Sequence, residues 1–294
     1  MNIDDLGEIH CRIIEWYRRE QRELPWRNAD CSAWGVLLSE VMSQQTPVAR
    51  VAPIWLEWME RWPTPADLAT APPGEAVRHW GRLGYPRRAL RLHEAATAIA
   101  RDHDNVVPSD PVVLQSLPGI GTYTAAAVAA FAYGVRTVVV DTNIRRVEAR
   151  LFTGDALAAP TLTAAESRLA AAVLPDDDED AAVWNVASME LGAVVCTAKN
   201  PTCGSCPVLD LCAWQRAGAP PYDGPARTGQ KWAGTDRQVR GKLLQTLRDA
   251  HGPVSRGTLD LVWSDEAQRD RCLAGLIEDG LVEPLDGEQF ALPT

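Results

Sequence analysis

Four of the seven cysteines crowd into residues 196–212, as Cys196-x6-Cys203-x2-Cys206-x5-Cys212. One short loop bearing four thiolates can surround a single metal centre. Such a set serves structural zinc or an iron–sulfur cluster. Zinc ribbons use paired Cys-x2-Cys motifs, and only one such pair is present. The wide-narrow-wide spacing, with Pro201 and Pro207, favours a cubane cluster and leaves zinc as the alternative. A second constellation is Leu117-Pro118-Gly119-Ile120-Gly121-Thr122-Tyr123-Thr124. Its glycines allow a tight turn with positive φ. That turn leaves backbone N–H groups free at the start of the next helix, where a phosphate can sit. Further on, Asp141 precedes Thr142-Asn143-Ile144-Arg145-Arg146-Val147, as a helix N-cap would.

Mostly helices must position these groups. Apolar residues Leu6, Ile9, Ile13, Ile14 and Tyr17 recur at helical period. Helices are also expected from 34 to 45 and from 48 to 61, the latter stopped by Trp62-Pro63. Thr64-Pro65 reads as an N-cap with proline at the first helical position. Further helices are expected at 73–81, 86–102, 111–116, 122–133, 142–152, 163–174 and 181–195. Residues 1–213 thus read as one mainly α domain. The Gly-, Pro- and Ala-rich stretch that follows reads as a linker, 214–235. Residues 236–294 form a smaller unit, with helices at 237–250, 256–262 and 266–279. Asp286-Gly287 between two apolar-patterned runs signals a hairpin. Three helices and a hairpin suggest a winged-helix-like module.

The composition is that of an ordinary globular protein, with 46% hydrophobic and 23% charged residues. No stretch is apolar enough for a membrane span. The first residues lack the basic and apolar regions of a secretory signal, so a cytoplasmic location and no membrane partner are expected. A disulfide framework would be out of place there. The net charge of −10 opposes generic nucleic-acid binding, although local arginine runs exist at Arg82, Arg87, Arg88 and Arg91 and at Arg145, Arg146 and Arg150.

Taken in order, the glycine hairpin, the aspartate at a helix start and the four-cysteine loop resemble the endonuclease III superfamily of DNA glycosylases. The resemblance spans roughly residues 5–213. Leu24-Pro25-Trp26-Arg27, Ser39-Glu40-Val41-Met42-Ser43-Gln44-Gln45-Thr46 and Gly81-Arg82-Leu83-Gly84-Tyr85 resemble its adenine-specific branch, the MutY family. The resemblance implies a two-lobed helix-hairpin-helix fold with a [4Fe-4S] cluster held by Cys196, Cys203, Cys206 and Cys212. It implies double-stranded DNA containing a mispaired adenine as the partner, bound by a monomer. Arg27, Gln44, Gln45, Tyr85, Leu117, Gly119, Gly121 and Thr122 are then expected at the DNA, with Gln45 and Tyr85 entering the base stack. Hairpin contacts of this kind position the backbone and carry no sequence information.

By the same resemblance Glu40 is a general acid, protonating adenine N7. Asp141 is an ionised group that stabilises the electron-poor sugar, and Asn143 orients Asp141 or the attacking water. Strand-cleaving relatives have a lysine where this chain has Tyr123. A tyrosine cannot form a Schiff base, so a glycosylase that stops at the abasic site is expected. Pro86, Ser43 and Thr142 depart from the family's commonest residues, and residues 214–294 are too short and too helical for the Nudix-like domain on which many members end. Two other functions compete. A thymine or uracil mismatch glycosylase shares the hairpin, tyrosine, aspartate and cluster, but typically lacks a counterpart of Glu40. A non-catalytic iron–sulfur DNA-binding or redox-sensing protein would gain nothing from burying paired carboxylates.

Overall fold

Apolar residues at helical spacing become helices almost wherever the periodicity demands. A computed structural model describes residues 3–224 and 232–294 of the chain. It contains α1 (Ile3–Glu20), α2 (Ala33–Ser43), α3 (Val48–Arg61), α4 (Pro65–Thr70), α5 (Pro73–His79), α6 (Arg87–Asp102), α7 (Pro111–Ser116), α8 (Thr122–Tyr133) and α9 (Thr142–Glu148). A π-helical turn, Ala149–Thr153, follows. Then come α10 (Ala164–Ala172), α11 (Asp178–Val194) and the single turn α12 (Ala213–Arg216). No helix among the described residues is long and apolar enough to cross a membrane.

The chain divides into two compact units. The first contains residues 3–36, 108–115 and 120–224, and the second contains 37–107, 116–119 and 232–294. In the first unit, α1, α9 and α11 enclose Ile13, Tyr17, Val147, Trp184 and Leu191. A second cluster there joins Ala126, Ala127 and Ala130 of α8 to Val139 and Ile144. The small alanine faces let α8 lie close to the start of α9. Gly192 of α11 serves the same end, because a Cβ there would meet the Cβ of Asn143 at 2.7 Å.

In the second unit the core is aromatic. Trp58 is fully buried and meets Trp62 and Trp80 edge-on, with ring centroids 4.9 and 5.7 Å away. Its indole Nε1 donates to the His79 carbonyl at 2.9 Å, so the ring buries no unpaired donor. Thr64 caps α4 in a reciprocal box with Asp67, as the Thr-Pro signal indicated.

The C-terminal part of this unit runs α13 (Asp236–Asp249), β1 (Val254–Ser255), α14 (Arg256–Asp260), α15 (Glu266–Glu278), β2 (Glu283–Leu285) and β3 (Gln289–Ala291). The strands are antiparallel in the order β1-β3-β2, with Phe290 opposite both Val254 and Pro284. Three helices and a small sheet, whose last two strands form a hairpin, make up this part. The expected linker falls partly on residues 225–231, which lie outside the described residues.

This module is tied to α5. The Gly74 N–H donates to the Pro293 carbonyl at 2.8 Å. Arg78 Nη1 reaches the carbonyls of Arg248 and, at 2.9 Å, Ala250 just beyond α13. Arg248 Nε returns a bond to the Val77 carbonyl at 2.8 Å. The module's charge is acidic, with seven Lys and Arg against eleven Asp and Glu in residues 232–294. On α15, Arg269 pairs with Asp260 and Arg271 with Asp236.

A Cβ at Gly74 would lie 2.4 Å from the Pro293 carbonyl oxygen and 2.9 Å from the Leu292 Cβ. Gly74→Ala is therefore expected to lower stability by about 1–3 kcal/mol through overpacking. Urea unfolding measures this, and an unchanged midpoint would refute the contact.

Candidate active site

Asp141 is the N-cap of α9. One carboxylate oxygen, Oδ1, accepts the backbone N–H groups of Asn143 and Ile144 at 2.9 and 2.6 Å. The other, Oδ2, accepts Asn143 Nδ2 at 2.8 Å. Burial pushes the carboxyl above its ordinary pKa, while these three bonds and the nearby Arg146 pull against that rise. Asn143 thus holds the second oxygen of Asp141 in place. Its own Oδ1 accepts from Arg146 Nη2 at 2.8 Å. Arg146 also donates to the carbonyls of Gly192 and Cys196, at 2.6 and 2.8 Å. A continuous polar chain therefore runs from Asp141 to the backbone of the first loop cysteine.

The four cysteines line one cavity together with Arg150, Val195, Leu209, Trp214 and Gln215. Among the described residues, no three His, Cys, Asp or Glu side chains are placed to hold a single ion. Four cysteines around one shared cavity supply the donor set of a cluster that takes one cysteine at each iron. The surroundings also fit thiolates. Arg150 Nη1 donates to Cys196 Sγ at 3.3 Å, and Gln215 Nε2 donates to Cys203 Sγ at 3.1 Å. Arg150 lies over the Trp214 ring at 4.6 Å, so its charge is held at the cavity wall.

Helix α8 starts at the glycine hairpin. Gly119 has φ +75°, whereas Gly121, the N-cap of α8, is extended. A Cβ at Gly119 would meet the Arg91 Cβ at 2.6 Å, so this glycine is required by both conformation and close approach. Gly119, Gly121 and Thr122 are exposed, and the N-cap residue of α8, Gly121, has no side chain with which to cap it. Thr122 Oγ1 accepts Gln115 Nε2 at 2.9 Å, tying α7 to α8. Tyr123 packs against the alanine cluster that also holds Ile144.

Two residues expected at the DNA have side chains turned inward. Leu117 is buried and, with Ile120, anchors the hairpin, because apolar side chains flanking an exposed turn are drawn inside. Arg27 donates to Glu190 Oε2 at 2.9 Å, and Arg22 grips the same carboxylate with two bonds of 2.7 Å. Burial pushes Glu190 up, but the two arginines outweigh it and hold the carboxyl at about 2. Arg27 thereby fixes the Leu-Pro-Trp-Arg segment to α11.

Glu40 stands near the end of α2, partly exposed between buried Ser39 and Val41. Gln44 is half-buried, and its carbonyl accepts Arg88 Nη1 at 2.7 Å. Gln45 and Tyr85 are exposed and share a bond, Tyr85 OH donating to Gln45 Oε1 at 2.9 Å. Glu40, Gln45 and Tyr85 belong to the second unit, whereas Asp141 and the cysteines belong to the first.

One group escaped sequence reasoning. Glu148 ends α9, two turns beyond Asp141, and is only 2% exposed. One of its oxygens has no hydrogen-bond partner. Burial, then the charges of Asp141 and Glu166, push it up to about 8, so it is a neutral acid near pH 7. Its only sequence signal was the seven-residue interval from Asp141, which repeats a helix face.

These features define a class. The family model described as "HhH-GPD superfamily base excision DNA repair protein" matches residues 38–171, and the iron–sulfur binding domain of endonuclease III matches 196–212. A solved thermostable thymine-DNA glycosylase superposes with a TM-score of 0.64 over 73% of this chain and 98% of its own, at 24% identity, which establishes the common fold. The adenine DNA glycosylase of Mycobacterium tuberculosis H37Rv is 55% identical over 282 residues, covering 96% of this chain and 92% of the relative. That of Mycolicibacterium smegmatis is 55% identical over 281 residues, covering 95% and 94%. The chain belongs to the adenine DNA glycosylase family.

Glu148 makes the stability pH-dependent. The unfolded chain ionises it near 4.5 and the folded protein only near 8. Stability that this group contributes is therefore lost as pH rises through that window. Glu148→Gln is expected to flatten the loss, so that the variant gains on the native protein at the alkaline end. Urea unfolding across the window checks this, and parallel pH profiles would count against it.

Proposed function

We propose that this protein removes mispaired adenine, opposite guanine or 8-oxoguanine, from double-stranded DNA and leaves an abasic site. The observation that carries this is a carboxylate held at a helix N-terminus in a chain whose relatives, matched nearly end to end, are adenine DNA glycosylases. By resemblance, Glu40 separates this reading from thymine mismatch excision, and Tyr123 separates it from strand-cleaving relatives.

The adenine must leave the stack to be reached, and an unstable mismatch lowers that cost. Glu40 protonates N7, so the base departs as a neutral molecule. The C1′–N9 bonding pair leaves with the base, and positive charge develops on the sugar. Asp141 stabilises that charge, held in place by Asn143 and the amides of α9. Water then adds to C1′ and releases a proton, completing hydrolysis. Tyr123 supplies no amine, so no Schiff base forms and the strand stays intact. Gly119, Gly121 and Thr122 offer backbone donors to phosphate. Cys196, Cys203, Cys206 and Cys212 hold a [4Fe-4S] cluster, which when bound supplies a rigid cross-link across the loop.

Glu40→Gln and Asp141→Asn are each expected to slow excision by roughly 100- to 10,000-fold while duplex binding persists. Alkali-treated gels on A·G, A·8-oxoguanine and T·G duplexes read which base is lost. Near-native turnover in either variant, or thymine release in place of adenine, would overturn the assignment. Borohydride should trap no covalent protein–DNA adduct, and abundant trapping would contradict hydrolysis without strand cleavage.

A further inference from the structure

Gln45 and Tyr85 both sit in the left-handed region, at φ 54° and 47°, although neither is glycine. Side chains rarely adopt this backbone without help, so something must hold each turn. The same side chain holds both. Arg88, at the start of α6, extends its guanidinium between the end of α2 and the turn before Tyr85. Nη1 donates to the carbonyls of Val41 and Gln44, each at 2.7 Å. Nη2 donates to the Gly84 carbonyl at 3.1 Å and to Thr46 Oγ1 at 3.2 Å. The Thr46 hydroxyl in turn reaches the Leu83 carbonyl at 3.0 Å. The guanidinium carbon lies 5.1 Å from the Trp80 ring and 5.6 Å from the Tyr85 ring.

The chemistry suits arginine alone. The last carbonyls of α2 lack helical partners and carry partial negative charge, which a cation satisfies. Two turns from distant parts of the chain need donors on a planar fork, which a lysine ammonium cannot supply. Arg88 stays charged although burial pulls it down to about 10. The product is a ridge: two exposed side chains, bonded to each other, on backbones fixed beforehand.

We infer that Arg88 is a positioning residue that presets the Gln45–Tyr85 ridge for entry into the base stack. This rests on the reading of Gln45 and Tyr85 as the residues that enter DNA. A ridge assembled in the free protein need not be ordered while the adenine is turned out.

The test compares Arg88→Lys, Tyr85→Ala and the double variant, in the full-length, cluster-loaded protein. Single-turnover excision is measured on A·8-oxoguanine and A·G duplexes, and base opening by fluorescence of 2-aminopurine at the target position. Arg88→Lys is expected to slow excision and opening by roughly tenfold or more, since charged hydrogen bonds are lost. Affinity for undamaged duplex should stay within about twofold, as phosphate contacts are elsewhere. The double variant should fall within about twofold of Tyr85→Ala, because both changes disable one ridge. Multiplying effects would overturn the inference and make Arg88 an independent contact. If Tyr85→Ala alone leaves opening unchanged, the reading of the ridge fails, and the inference with it. Should Arg88→Lys not fold, Thr46→Val removes one acceptor of the fork while keeping shape. It should give the same selective loss at smaller size, and unchanged base opening in that variant would overturn the inference.

Discussion

A carboxylate oxygen cannot both cap a helix and stay mobile, and that constraint organises the first unit. Asp141 gives one oxygen to two backbone amides of α9 and the other to Asn143. Its position is therefore set by wherever α9 begins. That start is fixed by the alanine face of α8 and by Gly192 of α11, which tolerates no side chain against Asn143. Arg146 then carries the same register to the cysteine loop through the Cys196 carbonyl. An anchored anion needs little reorganisation when charge develops on a substrate.

Buried charge is the recurring device elsewhere. Glu190 is enclosed and matched by Arg22 and Arg27, which pins an irregular segment to α11. Arg145 pairs with Glu166, whose carboxylate also completes the capping box of α10. Glu148 is the exception, because it is enclosed without a cation and resolves the conflict by remaining protonated. Arg88 shows the converse, a cation whose partners are carbonyl dipoles and not carboxylates. The paired groups and Arg88 each join segments that are apart in sequence.

The C-terminal module follows a different logic. Its arginines on α15 are spent on neighbouring acids, and its net charge is negative. Such a surface repels phosphate. Its bonds to α5 run through backbone carbonyls and a glycine, in the manner of a packed extension of the second unit.

Much of this was legible in the amino-acid order. Helical periodicity located nearly every helix, because apolar spacing is a local code. The Thr64 cap, the Asp141 cap and the hairpin at Asp286-Gly287 were equally local. The cysteine spacing announced a metal loop, since four thiolates on one loop have few other uses. The inward turn of Arg27 and Leu117 was not legible, nor was the role of Arg88. The partner of a long side chain is chosen by whichever distant segment packs beside it. Sequence determined which elements form and which residues carry reactive groups. Only tertiary structure decided which charges are buried, which carboxyl stays neutral, and which arginine holds two turns at once, because desolvation and hydrogen bonding depend on the whole enclosing fold.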